Sequence, residues 1–347
     1  MADRTERAPV RDRAQAEVPP VATNVIGLGG TFTDPLWKAT VRLRPAETDL
    51  LRTEPLRRLH FVSHAGASAV TTLQSYSRLE HTLGVLAVAA HFHPDDEVLR
   101  AAALLHDIGH LPLSHTLEGL AGLDHHAIGE RLLRTDPVRA VLADHGIDAD
   151  AVESALSGPS PLRNGSGLLN LDHLDSFARS ARDGGRLEID PPELLALLDL
   201  REAAVSTDLE TARTLIDLVI AEAHLHTSWD NIGPISTLRR LVGRLLDHGA
   251  VAPETLARMT DAQLWASLES HGDTRTEAAR LRYEPHRLRV APGKPADSRS
   301  WWGFSLRKIY RSAPLIDGRP TKTAAPELEA ALDELTDLPT DFRIRWG

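Results

Sequence analysis

Ala101-Ala102-Ala103-Leu104-Leu105-His106-Asp107-Ile108-Gly109-His110 is the stretch that decides the fold, because five apolar residues in a row deliver an adjacent imidazole and carboxylate. A polar group taken out of water without a partner costs roughly 2–7 kcal/mol, so such a pair calls for hydrogen bonds or a metal ion. The helix carrying the pair is predicted to start near Asp96, pass through Val98, Ala101, Ala102 and Leu105, and end at Asp107 with Gly109 as its C-terminal cap. Upstream, Leu79, Leu83, Leu86 and Ala90 form one stripe of a preceding helix that His93-Pro94 terminates, with His81 off the stripe. Downstream, Ser114 and Asp124 are expected N-caps of two short helices, and Asp136-Pro137 a cap followed by proline at the first helical position.

The 347 residues, 42% hydrophobic and 25% charged, suffice for one large domain or two ordinary ones. No apolar run approaches bilayer length, and Met1 to Pro20 lacks the apolar centre of a secretory signal, so no membrane partner and a cytoplasmic location are expected. The absence of cysteine leaves His, Asp and Glu as the strong ligands. A formal charge of −10 argues against broad nucleic-acid binding. Ten of the seventeen histidines (His60, His64, His81, His91, His93, His106, His110, His115, His125, His126) fall between positions 60 and 126, which marks the site region.

Three segments are expected: a disordered arm over 1–20, a core over 21–190 and a helical extension over 191–347 packed on that core. The fold class is mainly α. Val41 to Leu43 reads as a short strand or hairpin, Glu54 to Ala65 as the start of the first helix, and Ser157 to Gly167 as a loop. Leu168 to Ala181 is helical, with Asp172, Asp175, Ser176 and Arg179 on one face. Amphipathic segments follow at 193–204, 207–228, 235–248 and 254–270. Leu281 to Val290 and Trp302 to Tyr310 are predicted to form a small two-stranded element around the loop Ala291 to Ser300, and Trp301-Trp302-Gly303-Phe304, followed by Arg307-Lys308, reads as a packing anchor, with a partner subunit or a regulatory nucleotide as the alternative contact.

His81, His106, Asp107 and Asp172 combine as H…HD…D. Two imidazoles and two carboxylates suit Fe, Mn, Co or Zn and leave coordination positions open, with Mg admissible as a second ion. A divalent ion so held acidifies water and polarises a phosphoryl oxygen. The bland alternative is a core histidine satisfied by a carbonyl beside a helix-terminal Asp107, but that reading leaves His110, His115 and Glu118 unexplained.

These ordered motifs resemble the HD-domain metal-dependent phosphohydrolases, most closely the dNTP triphosphohydrolase-like branch that includes bacterial dGTPases and the human sterile-alpha-motif HD protein. Asp34-Pro35 with Arg57-Arg58-Leu59 resembles its "DP…RLR" opening, and Ser77-Arg78-Leu79-Glu80-His81-Thr82-Leu83-Gly84-Val85 its "RFEHSLGV" helix. Leu105 to His115 is similar to "LHDIGHGPFSH", and Leu171-Asp172-His173-Leu174-Asp175 to "VDRLDYL". The resemblance is dense over 33 to 185 and fainter to about 270. It implies an HD-domain helical fold, metal binding by His81, His106, Asp107 and Asp172, and a phosphate held by Arg78, whose donor fork matches phosphate oxygens. It further implies that His110 and His115 line the phosphate path and that His125 with Glu118 transfers protons. His126 stands where the family carries Glu. The resemblance also implies a homo-oligomer, dimer or tetramer.

The positions that read the sugar in that branch correspond here to His64, Ser176 and Ser180, and a lysine after the last ligand to His173; all four are candidate substrate contacts. Metal and phosphate positions persist while deoxyribose-reading positions differ. The expected function is therefore hydrolysis of a phosphate ester or anhydride of a nucleotide (dNTP/NTP-like) or related phosphorylated metabolite. The alternatives are an HD-type di-iron oxygenase, with His110, His125 and His126 as extra ligands, and a non-catalytic nucleotide-binding HD protein.

Overall fold

Two short strands, β1 (Thr31–Thr33) and β2 (Thr40–Arg42), pair antiparallel around the turn that Asp34 holds by accepting hydrogen bonds from the Leu36 and Trp37 amides. The computed structural model describes residues 24, 26–28, 30–164, 167–201, 203–295 and 300–347; the arm expected over 1–20 lies outside them. Helix α1 (Pro45–Arg52) follows the hairpin, ahead of the first helix expected at Glu54. Thr53 and Pro55 explain the division. Thr53 is extended and caps the next helix, and Pro55 sits in that helix's first turn, where its missing N–H leaves no bond unmade. Only the five-residue α2 (Glu54–Arg58) and a 3-10 turn occupy the segment expected to be one helix.

Helices α3 (Arg78–Phe92) and α4 (Glu97–Leu105) are the centre of the core. Each starts on a side-chain cap, Ser77 accepting from the Glu80 amide at 3.1 Å and Asp96 from the Leu99 amide at 2.9 Å, contacts worth about 1 kcal/mol each. Then come α5 (His125–Leu133), capped by Asp124 as expected, α6 (Val138–Asp144) and α7 (Ala149–Ser157). Pro137 is the N-cap of α6 rather than its first residue. Ser114 caps nothing: its hydroxyl donates to the Ser63 carbonyl, and it opens a 3-10 turn over Ser114–Leu117. Helix α8 (Leu171–Asp183) is capped by Asn170. Both its faces are buried, because its polar face turns into the site.

Helix α9 (Pro191–Ala196) stops early, and β3 (Asp199–Arg201) with β4 (Ala204–Thr207) replaces the second half of the helix expected over 193–204. Val205 and its neighbours are enclosed on both faces, which a strand accommodates. Helices α10 (Leu209–Thr227) and α11 (Trp229–Asp247) match the next two segments, while α12 (Pro253–Arg258) and α13 (Asp261–Ser270) divide the fourth at the capping box of Thr260 and Gln263. Helix α14 (Gly272–Tyr283) has no counterpart among the expected segments; its sparse apolar positions, Ala278 and Leu281, give a weak pattern.

The C-terminal element has three strands, not two. β5 (Leu288–Pro292) and β6 (Trp302–Ser305) do not pair with each other; β7 (Leu315–Ile316) and β8 (Arg319–Pro320) extend the β3–β4 sheet, α15 (Thr321–Ala324) and α16 (Pro326–Asp333) follow, and β9 (Asp341–Trp346) inserts between β5 and β6. Residues 296–299 of the loop expected there are outside the described set. Trp302 lies under the Arg240 guanidinium at 4.0 Å and Phe304 packs on the core, so both serve packing.

Two cores result. The larger is built on α3, α4, α8 and α10; the second buries Leu111, Leu113 and Leu117 from the segment after the His-Asp pair against Leu238, Leu241 and Leu245 of α11. At about 2 kcal/mol for each fully buried leucine, this second core holds the site segment in place from the C-terminal side. Among the described residues no helix is long and apolar enough to cross a membrane.

Candidate functional site

Helix α3 places His81 at the floor of the site, fully buried. Helix α4 ends at Leu105, and His106 takes its C-cap position, directing its ring toward His81 with the two Nε2 atoms 3.3 Å apart. Asp172, on the first turn of α8, brings Oδ1 to 3.1 Å from His81 Nε2 and 3.8 Å from His106 Nε2. Asp107 Oδ2 stands 3.2 Å from His106 Nε2 and 3.6 Å from His81 Nε2. Nitrogen ligands about 2.0–2.1 Å from a common ion have roughly this mutual spacing, so the donor set fits a divalent metal.

The opposite ring nitrogens are fixed. His81 Nδ1 lies 2.8 Å from Asp175 Oδ2 and His106 Nδ1 2.8 Å from the Ala103 carbonyl, so each ring donates there and offers Nε2 to the centre. Burial alone would lower the His106 pKa, but Asp107 and Asp172 outweigh it and push it up to about 9; His81 is raised in the same way by Asp172, Asp175 and Asp107. Asp107 and Asp172 are held below the usual carboxylate range: burial opposes this, and His106, Arg78 and His110 for the one, His81 and His106 for the other, override it. The centre is a negative well for a cation.

Beneath it runs a buried network that sequence reading did not assign to the site. Trp37 Nε1 donates to Asp175 Oδ1 at 2.7 Å, Arg179 Nε to Asp175 Oδ2 at 2.8 Å and Arg179 Nη1 to Glu80 at 3.0 Å, while Arg179 also pairs with Asp34. Gly84 makes room for it: a Cβ there would stand 2.0 Å from Arg179 Nη2 and 2.2 Å from Asp175 Oδ1. The signal was present in the sequence as Asp172, Asp175 and Arg179 on one helical face, but only the partner across α3 shows that Asp175 orients His81.

Arg78 is buried and already engaged. It donates to Asp107 Oδ2 at 2.9 Å, Ser114 Oγ at 3.2 Å and the His64 carbonyl at 3.1 Å, so three of its five N–H groups brace the metal side and two remain for a ligand. His110 Nε2 is 3.1 Å from Asp107 Oδ1, and its buried Nδ1 has no partner. The His110 ring stacks on His125 at 4.3 Å, and His115 stands edge-on to both at 4.6 and 5.0 Å. Burial and the Arg78 charge hold His110 well below the usual imidazole range, hence neutral. Glu118 Oε2 accepts from His125 Nδ1 at 2.7 Å. His126 is exposed, so His125 is the member of the pair that faces inward.

Gly109 does not cap α4. A Cβ there would lie 2.1 Å from the His125 carbonyl oxygen and 2.4 Å from the Gly129 nitrogen, so this glycine lets the start of α5 cross directly over the His-Asp pair. Leu113 and Ser114 both have left-handed backbones, φ 55° and 54°, a conformation costing about 1–3 kcal/mol per non-glycine residue. Asp261 of α13 holds the first of them, accepting from the Leu113 and Ser63 amides at 2.7 Å each, and the Ser114 hydroxyl donates to the Ser63 carbonyl. Nothing near Asp261 in sequence announced this role.

The four substrate-side candidates separate. The His64 ring stacks on Tyr76 at 4.9 Å and lies 4.4 Å from His81; burial, and then Arg78, keep its pKa well below the ordinary value. His173 Nδ1 is 3.0 Å from Ser312 Oγ, its ring edge-on to Tyr310 at 4.9 Å. Ser176 is half-buried one turn beyond Asp172. Ser180 is not brought into the cleft: it is 2% exposed, and its hydroxyl is consumed by Gln74 and Glu222. In exchange the structure brings in Arg307 and Lys308 of the C-terminal basic pair, together with Tyr310 and Arg239, which spacing around the motifs could not locate.

Residues 78–156 match the HD domain family. That span holds the metal-side groups except Asp172, and the donor geometry agrees with the match. Metal-dependent phosphohydrolase cns2 of Cordyceps militaris is 28% identical over 310 residues, covering 81% of this chain and 83% of that protein. Uncharacterized protein MJ1154 of Methanocaldococcus jannaschii is 33% identical over 99 residues, 27% of this chain and 22% of that protein. In fold, the chain is similar to a phosphohydrolase from Bacteroides thetaiotaomicron at TM-score 0.68 and 18% identity, over 91% of this chain and 99% of that one. A hypothetical protein from Aquifex aeolicus gives TM-score 0.64, 18% identity, 91% and 96%. The matches support the HD superfamily, with the mainly α architecture expected of it.

Proposed function

We propose that this chain is a metal-dependent phosphohydrolase of the dNTP triphosphohydrolase-like kind, cleaving a phosphate ester or anhydride of a nucleotide or related phosphorylated metabolite. The observation that carries the reading is the convergence of His81, His106, Asp107 and Asp172, with contacts of 3.1–3.8 Å, beside His110 and His115, which burial keeps neutral. A divalent ion held by these four would supply Lewis acidity toward a phosphoryl oxygen and toward water.

The chain's own groups do the rest. Arg78 fixes Asp107 and keeps two N–H groups for phosphoryl oxygens; His115 donates to the developing charge, while His110, whose single N–H goes to Asp107, steadies that carboxylate. Glu118 holds the His125 ring so that Nε2 exchanges the proton with the leaving group or water. Arg239 is locked by the Thr116 and Glu118 carbonyls at 2.9 and 2.8 Å, and Arg307 approaches Gly119 from the strap Leu306–Ser312. Lys308 Nζ lies 4.5 Å over the Tyr310 ring, next to His173. Among the described residues none of these three cations is in an ion pair, which favours an anionic substrate, and Tyr310 set edge-on to His173 offers an aromatic corner for a planar ring.

The test is a phosphate-release screen over ribo- and deoxynucleoside mono-, di- and triphosphates with Mn, Fe, Co and Mg supplied separately. Wild type is expected to release phosphate, pyrophosphate or triphosphate from at least one member and His106→Ala to fall to background. Equal turnover by His106→Ala and Asp107→Ala, or two irons with oxygen consumption and no phosphate released, overturns the reading. The released group decides the branch: tripolyphosphate supports it, orthophosphate removes it.

A further inference from the structure

A second cluster of imidazoles and carboxylate lies outside the cleft, where the last residue of one helix meets the corner between two others. His248 follows the C-terminus of α11, and His271 and Asp273 form the joint between α13 and α14. One donor atom from each of the three lies within 4.8 Å of the others, and His248 Nε2 is 3.5 Å from Asp273 Oδ2. The two rings stack with centroids 5.5 Å apart.

Three physical features set this cluster apart from an ordinary surface group. His248 Nδ1 is 2.9 Å from the Arg244 carbonyl, so the proton sits there and Nε2 presents its lone pair outward, the arrangement that outer hydrogen bonds give a metal-ligating histidine. His271 Nδ1 is buried and has no hydrogen-bond partner, a cost that a cation at that nitrogen removes. The cluster also sits at the C-terminal, negative end of a 19-residue helix. Arg244, which donates to the Asp273 carbonyl at 3.1 Å, has its charge paired with Glu277 at 3.0 Å. No sequence motif joins these residues, and none belongs to the cleft.

We infer that His248, His271 and Asp273 form a second site for a divalent transition metal of the zinc or cobalt class, tying the end of α11 to the α13–α14 corner. Two nitrogens and one oxygen suit such an ion and leave a position for water. Since α11 carries Arg239 and α13 carries Asp261, an ion here braces the two helices that hold the loop bearing His110 and His115.

The experiment is a cobalt titration of untagged, metal-stripped full-length protein, read by equilibrium stoichiometry and the visible Co2+ spectrum. Wild type is expected to bind one equivalent more than His248→Ala or Asp273→Asn, and His106→Ala to keep that equivalent. Zinc is expected to raise the melting temperature of His106→Ala by roughly 3 °C and to leave that of His106→Ala/His248→Ala unmoved. Both His248 and Asp273 are more than half exposed, so their variants fold, and the comparison with wild type stands even if His106→Ala does not. Identical stoichiometry in wild type, His248→Ala and Asp273→Asn overturns the inference and leaves the proposal for the cleft untouched.

Discussion

Replacing Gly109 with alanine sets a methyl carbon 2.1 Å from the His125 carbonyl oxygen and 2.4 Å from the Gly129 nitrogen. Both neighbours are backbone, so no rotamer relieves the clash; ordinary contact begins near 3.4 Å, and the first turn of α5 must retreat by about 1.3 Å. His125 moves with it. Its ring then leaves the 4.3 Å stack on His110 and strains the 2.7 Å hydrogen bond to Glu118. Misplacing a reacting group by about 1 Å costs roughly 10²-fold in rate, and overpacking of this kind costs about 1–3 kcal/mol in stability. The proposed metal donors sit on α3, just past the end of α4 and on α8, and not on α5, so metal content should stay at the wild-type level. The assay is kcat on the best substrate of the screen, alongside metal analysis and a melting curve. A Gly109→Ala protein with kcat within threefold of wild type and an unchanged melting temperature refutes the crossing argument; loss of metal together with activity refutes the separation of α5 from the metal side.

Asp175→Asn should weaken metal retention by about 10–100-fold by releasing the His81 tautomer, measured as metal remaining after dialysis against a graded chelator; unchanged retention removes Asp175 from its orienting role. Glu118→Gln is expected to lower kcat by roughly 10²-fold or more with little change in KM, and a KM-only effect would make Glu118 a binding residue. Because the His106 pKa is about 9 in the metal-free fold and 6.5 unfolded, the stability it contributes is complete below pH 6.5 and lost as pH rises through 9, whereas metal affinity rises over the same window as the proton becomes easier to displace. Metal-free melting curves and metal titrations between pH 6.5 and 9 should therefore slope in opposite directions; parallel slopes contradict the assignment. Glu47→Ala strands the buried Arg100 guanidinium, which Glu47 binds at 2.6 and 2.9 Å, and should cost about 3–5 kcal/mol in a denaturation experiment while the folded fraction keeps its specific activity.

Local rules recovered the helices where pattern and cap coincide. Ser77, Asp96 and Asp124 each precede an apolar period, and each caps the helix expected after it. They misled where a residue's local meaning competes with a distant neighbour. Gly109 looks like a cap because it follows a helix, but its reason is α5 passing overhead. Ser114 looks like a cap because it precedes a turn, but its hydroxyl goes to Ser63. The segment after Ala196 reads as amphipathic helix by period and becomes a strand because β7, more than a hundred residues later, pairs with β4. β9 was invisible for the same reason: alternation in Asp341–Trp346 acquires meaning only between β5 and β6.

At the site the division is similar. The convergence of His81, His106, Asp107 and Asp172 was legible because ligand chemistry restricts residue type and because helical geometry brings an adjacent pair and two single residues onto facing segments. The Glu118–His125 pair was legible from its place in the family motif, before any contact was on view. Asp261 holding the Leu113 and Ser63 amides, Asp175 and Arg179 beneath His81, and the strap that presents Arg307, Lys308 and Tyr310 were decided by tertiary structure. The sequence by itself determined the donor set and the helices that carry it, since both follow from residue chemistry within a few turns. Which nitrogen each histidine offers, which face of α8 is buried and which cations line the cleft depend on partners tens to hundreds of residues away, and those contacts exist only once the two cores have closed.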